Sequence, residues 1–409
     1  MEYVIIGNGT AAVGTIEGIR QIDKSGCITV ISSENHHTYS RPLISYYLQK
    51  KTDAQKMKYR PDDFYAVNGC QTLLGKQAVK IDAQAKTVRL SDGEVVAYDK
   101  LMVATGSSPF VPPFAGLENV QNKFTFMTLD DALALEEAVD KDKRVLIIGA
   151  GLIGLKCAEG LLERAKSVTV TDLAPRVLSS ILDEDCGKAV KAHISSKGIN
   201  LLLGDSVKEF LPDRAIMQSG AVIDFDILVV AVGVRPNVSL VKDAGGEVNR
   251  GILTDEHMKT SLNDVYAAGD CTESLDITSG QHKILAILPN AYYQGECAGV
   301  NMAGGEKSQK TGIPMNAIGF FGLHMVTAGT YSGEVYEERE GENIKKLFFE
   351  DNRLKGYILI GDVDKAGIYT SLIRNCTPLD EIDFELVKKR PTLLAFQQDF
   401  RKKNLGGVV

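Results

Sequence analysis

Two stretches of the chain repeat one order of apolar and polar positions. Tyr3-Val4-Ile5-Ile6 is an unbroken apolar run that ends in Gly7-Asn8-Gly9-Thr10-Ala11-Ala12. A helical pattern continues to about Gln21, and a second apolar run, Ile28-Thr29-Val30-Ile31, leads to Glu34. In the same way Arg144-Val145-Leu146-Ile147-Ile148 enters Gly149-Ala150-Gly151-Leu152-Ile153-Gly154, followed by a helix to about Arg164, Val168-Thr169-Val170 and Asp172. Strands without alternation are buried on both faces, so helices between such strands predict parallel sheets covered on both sides. The expected fold class is α/β, with one architecture used twice.

Three more apolar runs end in turns. Lys100-Leu101-Met102-Val103 enters Ala104-Thr105-Gly106, and Ile227-Leu228-Val229-Val230-Ala231-Val232 enters Gly233 and Arg235-Pro236-Asn237. Val265-Tyr266-Ala267 enters Ala268-Gly269-Asp270. From about Thr311 the pattern changes to alternating strands such as Lys346-Leu347-Phe348-Phe349, which predicts a small α+β unit. The organisation expected is a discontinuous first unit over 1–115 and 238–310, an inserted second unit over 116–237, and a C-terminal unit over 311–409.

A chain of 409 residues is too long for one core, which agrees with several units. The net charge of -7 gives a nucleic-acid partner no electrostatic support. No apolar run reaches the roughly 18 residues of a membrane span. The first residues enter a strand without the basic and apolar regions of a signal peptide, so a cytoplasmic protein is expected. The cysteines at 27, 70, 157, 186, 271, 297 and 376 form no Cys-x-x-Cys or Cys-x4-Cys spacing. That argues against an iron–sulfur cluster, a structural zinc and a redox disulfide, all of which need close thiolates. His36 and His37 point oppositely on an extended segment and make a poor metal pair.

A strand, a Gly-x-Gly-x-x-Gly turn, a helix and a later acid have a shared physical logic. The glycines let the backbone turn tightly and approach a pyrophosphate, the helix amides hold it, and the acid accepts ribose hydroxyls. Both halves therefore read as Rossmann-like dinucleotide sites. In the first the expected positions are Gly7, Gly9, Thr10, Ala11, Ala12 and Glu34, with Ala12 in the place of the third glycine. In the second they are Gly149, Gly151, Leu152, Ile153, Gly154 and Asp172. A carboxylate at Asp172 favours the free 2′-hydroxyl of NADH over the phosphate of NADPH, with Arg176 placed to soften that bias.

Over residues 1 to about 310 the chain resembles the pyridine nucleotide-disulfide oxidoreductases, flavoproteins with two dinucleotide-binding domains. The resemblance implies a glutathione-reductase-like fold, with FAD in the first half and NAD in the second. It implies that Ala104, Thr105 and Gly106 link the two sites and that Gly233 borders the nicotinamide. Gly269 and Asp270 would hold the flavin ribityl or pyrophosphate region, and the main chain at Val79 would meet the adenine. The stretch Asn290-Ala291-Tyr292-Tyr293-Gln294-Gly295 is similar to the helix whose start, here Ala291, faces the isoalloxazine. Tyr39-Ser40-Arg41-Pro42-Leu43-Ile44-Ser45 is most similar to NADH:rubredoxin oxidoreductases and the flavin part of nitrite reductases, in which Arg41 and Pro42 would line the flavin. Pro314, Asn316 and Gly329 resemble that group's small C-terminal domain more loosely.

The chain departs from these relatives at four places. It lacks the paired cysteines of the disulfide reductases, and Ser45 stands near the single cysteine of peroxide-type relatives. Met127 replaces an arginine that would meet the flavin phosphate, and Lys156 replaces a glutamate. Hydride transfer from nicotinamide to flavin makes no protein acid or base obligatory, and the role of Lys156 stays open between a part in catalysis and a lysine that reaches solvent from its helix. Without a cysteine relay, the expected reaction is NADH oxidation with electrons leaving singly to rubredoxin, ferredoxin or an iron–sulfur subunit. The alternatives are an NADH oxidase that reduces oxygen, and an electron-entry or scaffold subunit of a larger redox complex. The tail sets Lys388, Lys389, Arg390, Arg401, Lys402 and Lys403 against Glu385 and Asp399, a charge suited to an acidic carrier, though a solvated face is the plainer reading. The oligomeric state is open.

Overall fold

The computed structural model describes residues 1–397, so Asp399, Arg401, Lys402 and Lys403 of the basic tail lie outside the described residues. Two five-stranded parallel sheets form the body. In the first the order is Val265–Ala267, Lys100–Val103, Glu2–Ile6, Cys27–Ser32, Cys70–Leu74. In the second it is Asn200–Leu203, Ser167–Asp172, Arg144–Ile148, Ile227–Val230, Lys123–Phe124. The duplication read from the apolar pattern is thus a duplication of neighbours. Ile5 lies between Val30 and Met102, and Ile147 lies between Val170 and Val229. Strands flanked on both sides and covered on both faces have no solvent side, which is why Val4–Ile6 and Val145–Ile148 are buried without alternation.

No strand is shared between the two sheets. The chain passes from one to the other through Ser107–Pro109 and returns through Val234–Pro236, and these two strands pair antiparallel with each other. The second sheet therefore enters and leaves the first at a single place.

Against the first sheet lie the helices Thr10–Ile22 and Leu288–Met302, which run parallel and touch backbone to backbone. An added Cβ on Gly14 or Gly18 would stand 2.4 Å from the carbonyl oxygen of Tyr292 or Glu296. On Gly295 it would stand 2.1 Å from that of Ala11, and on Gly299 2.2 Å from that of Thr15. Glycines four apart share one helix face, so each helix offers a smooth groove to the other. The parallel direction brings both N-termini to the same end of the sheet. Gly295→Ala is expected to destabilise the protein by about 1–3 kcal/mol, as overpacking generally does. The measurement is thermal unfolding, and an unchanged midpoint would show that the crossing can relax.

From Met315 to Ile360 the chain forms a five-stranded antiparallel sheet, backed by helices Ala366–Arg374 and Phe384–Lys389. It packs on the second parallel sheet: Phe320 and Ile358 share a core with Val170 and Val229. Lys346, almost wholly buried, reaches Asp183 at 2.7 Å, and Tyr331 Oη donates to the Ile181 carbonyl at 2.6 Å. Lys388 is no solvated tail residue: its side chain is 16% exposed, pairs with Glu385 and lies 5.0 Å from the ring of Phe384. Among the described residues no helix is long and apolar enough to cross a membrane.

Candidate cofactor and active site

The two glycine turns are superposable in their strain. Gly7 has φ +117°, and an added Cβ would stand 2.1 Å from the Ala104 carbonyl oxygen. Gly149 has φ +115°, with the Ala231 carbonyl oxygen at 2.2 Å. An L side chain at either position would be strained twice over, by conformation and by contact. Gly9 and Gly151 differ: nothing lies within 4 Å of an added Cβ, so both leave a bare surface above a helix start. The helices beginning at Thr10 and Leu152 carry no side-chain cap, leaving their first amides free for an anion. Gly154 lets helix and strand close up, since its Cβ would meet the Gly149 carbonyl oxygen at 1.9 Å. Ala12 does the same work with a methyl group, buried behind the turn.

A cavity of about 540 Å³ opens above the first turn. Gly7, Gly9, Thr10 and Ala11 form its base, and Glu34 and Val79 stand on the side of Lys76 and Gln77. Ala104, Thr105, Gly106, Gly269, Asp270, Ala291 and Arg41 complete the wall. A space with a bare glycine surface and two helix N-termini suits a dinucleotide such as FAD. Two expected positions fall outside it: Ala12 lies in the core, and Pro42 is exposed beside the cavity rather than lining it. Gly149, Gly151, Leu152, Ile153, Gly154, Asp172 and Gly233 gather on the second sheet and do not line this cavity.

Charges around the cavity are held by local partners. The Glu34 carboxylate accepts from Tyr39 Oη at 2.5 Å and pairs with Arg41. Tyr39 Oη in turn accepts the Leu129 amide at 2.9 Å, and burial pushes its phenol up. Arg41 also donates to the Met127 carbonyl at 3.2 Å. Burial pushes the Asp270 carboxyl up, and the positive Arg41 opposes that rise. At the second turn Asp172 accepts the Ala150 amide at 2.6 Å and the Ala174 amide at 2.7 Å. Arg176 is turned toward the Leu182 and Ser179 carbonyls, each at 3.3 Å, while Leu173 stands 73% exposed beside Asp172.

Sequence reasoning gave no role to Asn237, which knits the crossover. Its Nδ2 donates to the Thr105 carbonyl at 2.9 Å, and Thr105 Oγ1 donates to the Asn237 carbonyl at 2.8 Å. The signal was present in its place after Arg235-Pro236, but its partner lies 132 residues away. All seven cysteines are free. Cys271, next to Asp270, is buried with its Sγ 3.3 Å from the Ala268 carbonyl, and burial pushes its thiol up to about 11. Ser45 Oγ donates to the Pro42 carbonyl at 3.3 Å, and His36 pairs with Asp130 at 2.7 Å.

A dinucleotide cavity on one Rossmann sheet and a second glycine cradle on another define a flavin-dependent NAD(P)H oxidoreductase. The chain belongs to the pyridine nucleotide-disulphide oxidoreductase family, whose model matches residues 1–295. That membership implies FAD and NAD(H) as cofactors. Residues 314–377 match the rubredoxin NAD+ reductase C-terminal domain. The epsilon subunit of NADH-dependent phenylglyoxylate dehydrogenase from Aromatoleum evansii is 32% identical, covering 92% of each chain. Nitrite reductase [NAD(P)H] from Bacillus subtilis (strain 168) is 30% identical over 93% of this chain, which spans only 48% of that protein. In fold, the reductase in the crystal structure of the covalent putidaredoxin reductase–putidaredoxin complex matches with a TM-score of 0.87, at 24% identity over 96% of this chain and 97% of that one.

Proposed function

We propose that the protein oxidises NADH through bound FAD and passes the electrons singly to a protein carrier such as rubredoxin, ferredoxin or an iron–sulfur subunit. When bound, FAD supplies the chemistry: it takes a hydride from the nicotinamide and can release two electrons one at a time. The residues hold and orient. Gly9 and the amides after it take the FAD pyrophosphate, Glu34 the ribose, and Gly151 with its helix start the nicotinamide dinucleotide. The observation that carries the reading is a flavin cavity and a second cradle with no thiol between them. Among the described residues no cysteine lines the cavity, so electrons have no dithiol to leave by.

NADH is favoured over NADPH by the pinned groups at the second cradle. Asp172 is fixed by two amides, and Arg176 is engaged with the carbonyls of its own loop. The chain's 92% coverage of a relative that is itself a subunit supports a second reading, in which the protein works inside a larger redox complex.

Anaerobic titration with NADH, followed by stopped-flow mixing with carriers or oxygen, tests these readings. Reoxidation by a one-electron carrier is expected to outrun that by oxygen by about 100-fold, the scale on which positioning and docking act. Faster reoxidation by oxygen identifies an oxidase. A chain that NADH cannot reduce on its own, with any dye present, identifies the complex-bound subunit.

A further inference from the structure

No step of hydride transfer requires Lys156, yet the fold does not leave it in solvent. Its side chain is only 13% exposed. The ammonium pairs with Glu159, donates to the Gly319 carbonyl at 3.1 Å, and lies 4.7 Å from the ring centre of Tyr46 and 5.6 Å from that of Phe320. The other oxygen of Glu159 accepts the Phe321 amide at 2.7 Å. A cation withdrawn from water is tolerated only where partners replace the water, and a carboxylate, a carbonyl and two ring faces do so here.

Those partners come from three separate parts of the chain. Tyr46 belongs to the short helix Ile44–Leu48, which continues from the turn Arg41–Leu43, and Arg41 lines the flavin cavity. Lys156 and Glu159 belong to the helix that starts at the second glycine cradle. Gly319 and Phe320 end the first strand of the C-terminal sheet, and Phe321 begins the turn to the second.

Along the cradle helix and the turn after it, Gly160 and Arg164 follow Lys156 at intervals of four, on the same side. A Cβ on Gly160 would stand 3.0 Å from Leu48 Cβ, and Arg164 donates to the Leu48 carbonyl at 3.2 Å. One side of the cradle helix therefore lies along the segment that carries Arg41, and Lys156 is its fastening nearest the cradle.

We infer that Lys156 is a positioning residue: it fixes the nicotinamide-cradle helix to the Arg41–Leu48 segment and to the C-terminal turn, and so sets the reach between the two cofactor sites. The inference rests on the hydride-transfer reading given above. Hydride transfer needs reacting atoms within about 3–3.5 Å, and a displacement near 1 Å can slow it about 100-fold. A fastening that acts through protein partners alone changes that reach and leaves coenzyme affinity alone.

The test compares Lys156→Met, which keeps the stem and removes the charge, with Tyr46→Phe, which keeps the ring, and Tyr46→Leu, which removes it. On the FAD-loaded proteins, stopped flow gives the limiting rate of flavin reduction and the half-saturating NADH concentration. Hydrogen exchange of residues 41–48 and 315–323 gives a readout independent of turnover. For Lys156→Met the limiting rate is expected to fall about tenfold or more while the half-saturating concentration stays within about twofold. Exchange is expected to rise in both segments. Tyr46→Phe should match the parent and Tyr46→Leu should fall between. An unchanged limiting rate, or unchanged exchange in either segment, overturns the inference. If Lys156→Met does not fold, Tyr46→Leu carries the same comparison with the Glu159 pair intact. Failure of NADH to reduce the parent chain would count against the hydride-transfer reading, and the exchange data would still judge the fastening.

Discussion

Gly7→Ala is expected to yield a protein that retains no FAD, whereas Gly9→Ala should fold normally and bind FAD weakly. The two positions are two residues apart but differ in what a methyl group meets. At Gly7 the φ of +117° disfavours any L residue, and the Ala104 carbonyl oxygen would stand 2.1 Å from the new carbon. Backbone strain alone is about 1–3 kcal/mol. The contact must also push Ala104 out of line with Thr105 and Gly106, which form the opposite wall of the same cavity. At Gly9 the methyl group meets no protein atom within 4 Å and stands in the space a pyrophosphate needs. Visible flavin absorbance of the purified proteins and their unfolding temperatures separate the cases. Full flavin content in Gly7→Ala would show that this turn does not shape the flavin site.

Asp172→Asn combined with Leu173→Arg is expected to turn coenzyme preference from NADH toward NADPH. The asparagine removes the charge that repels a 2′-phosphate, and its single carbonyl oxygen keeps an acceptor for one of the two turn amides that Asp172 now holds on its two oxygens. Leu173, exposed at the rim, is free to carry a guanidinium without disturbing packing. Hydrogen bonds to a charged group contribute about 1.5–3 kcal/mol, which amounts to roughly 10–100-fold in kcat/KM for NADH. NADPH efficiency should rise. Steady-state assays with a dye acceptor measure both coenzymes, and an unaltered ratio would remove Asp172 from the ribose.

The parts of this architecture that were legible in the sequence are those whose cause is local. A strand, a glycine turn and a helix lie within some 20 residues, so both cradles and their closing acids could be placed, as could the turns at Ala104–Gly106 and Gly269–Asp270. The rest depends on partners far along the chain. Gly14 and Gly18 carry the same spacing as Gly295 and Gly299, but nothing local says that the two pairs face one another. Lys156 looks like a surface lysine until Gly319, 163 residues on, supplies its carbonyl. The tail shows the opposite limit: Lys388 adds to a basic run in the sequence and is folded among aromatic rings. The resemblance of residues 39–45 placed both Arg41 and Pro42 at the flavin; a turn gives consecutive residues different directions, and of the two the arginine lines the cavity.

The paired crossover strands Ser107–Pro109 and Val234–Pro236 have a mechanical consequence. The seam carries both chain crossings, while Tyr39, Ile44 and Leu48 of the first unit pack into the second unit's core away from it, so a swing about that line is opposed by a second fastening. Asn237 and Thr105 stitch that seam at the edge of the cavity, so a swing would begin there.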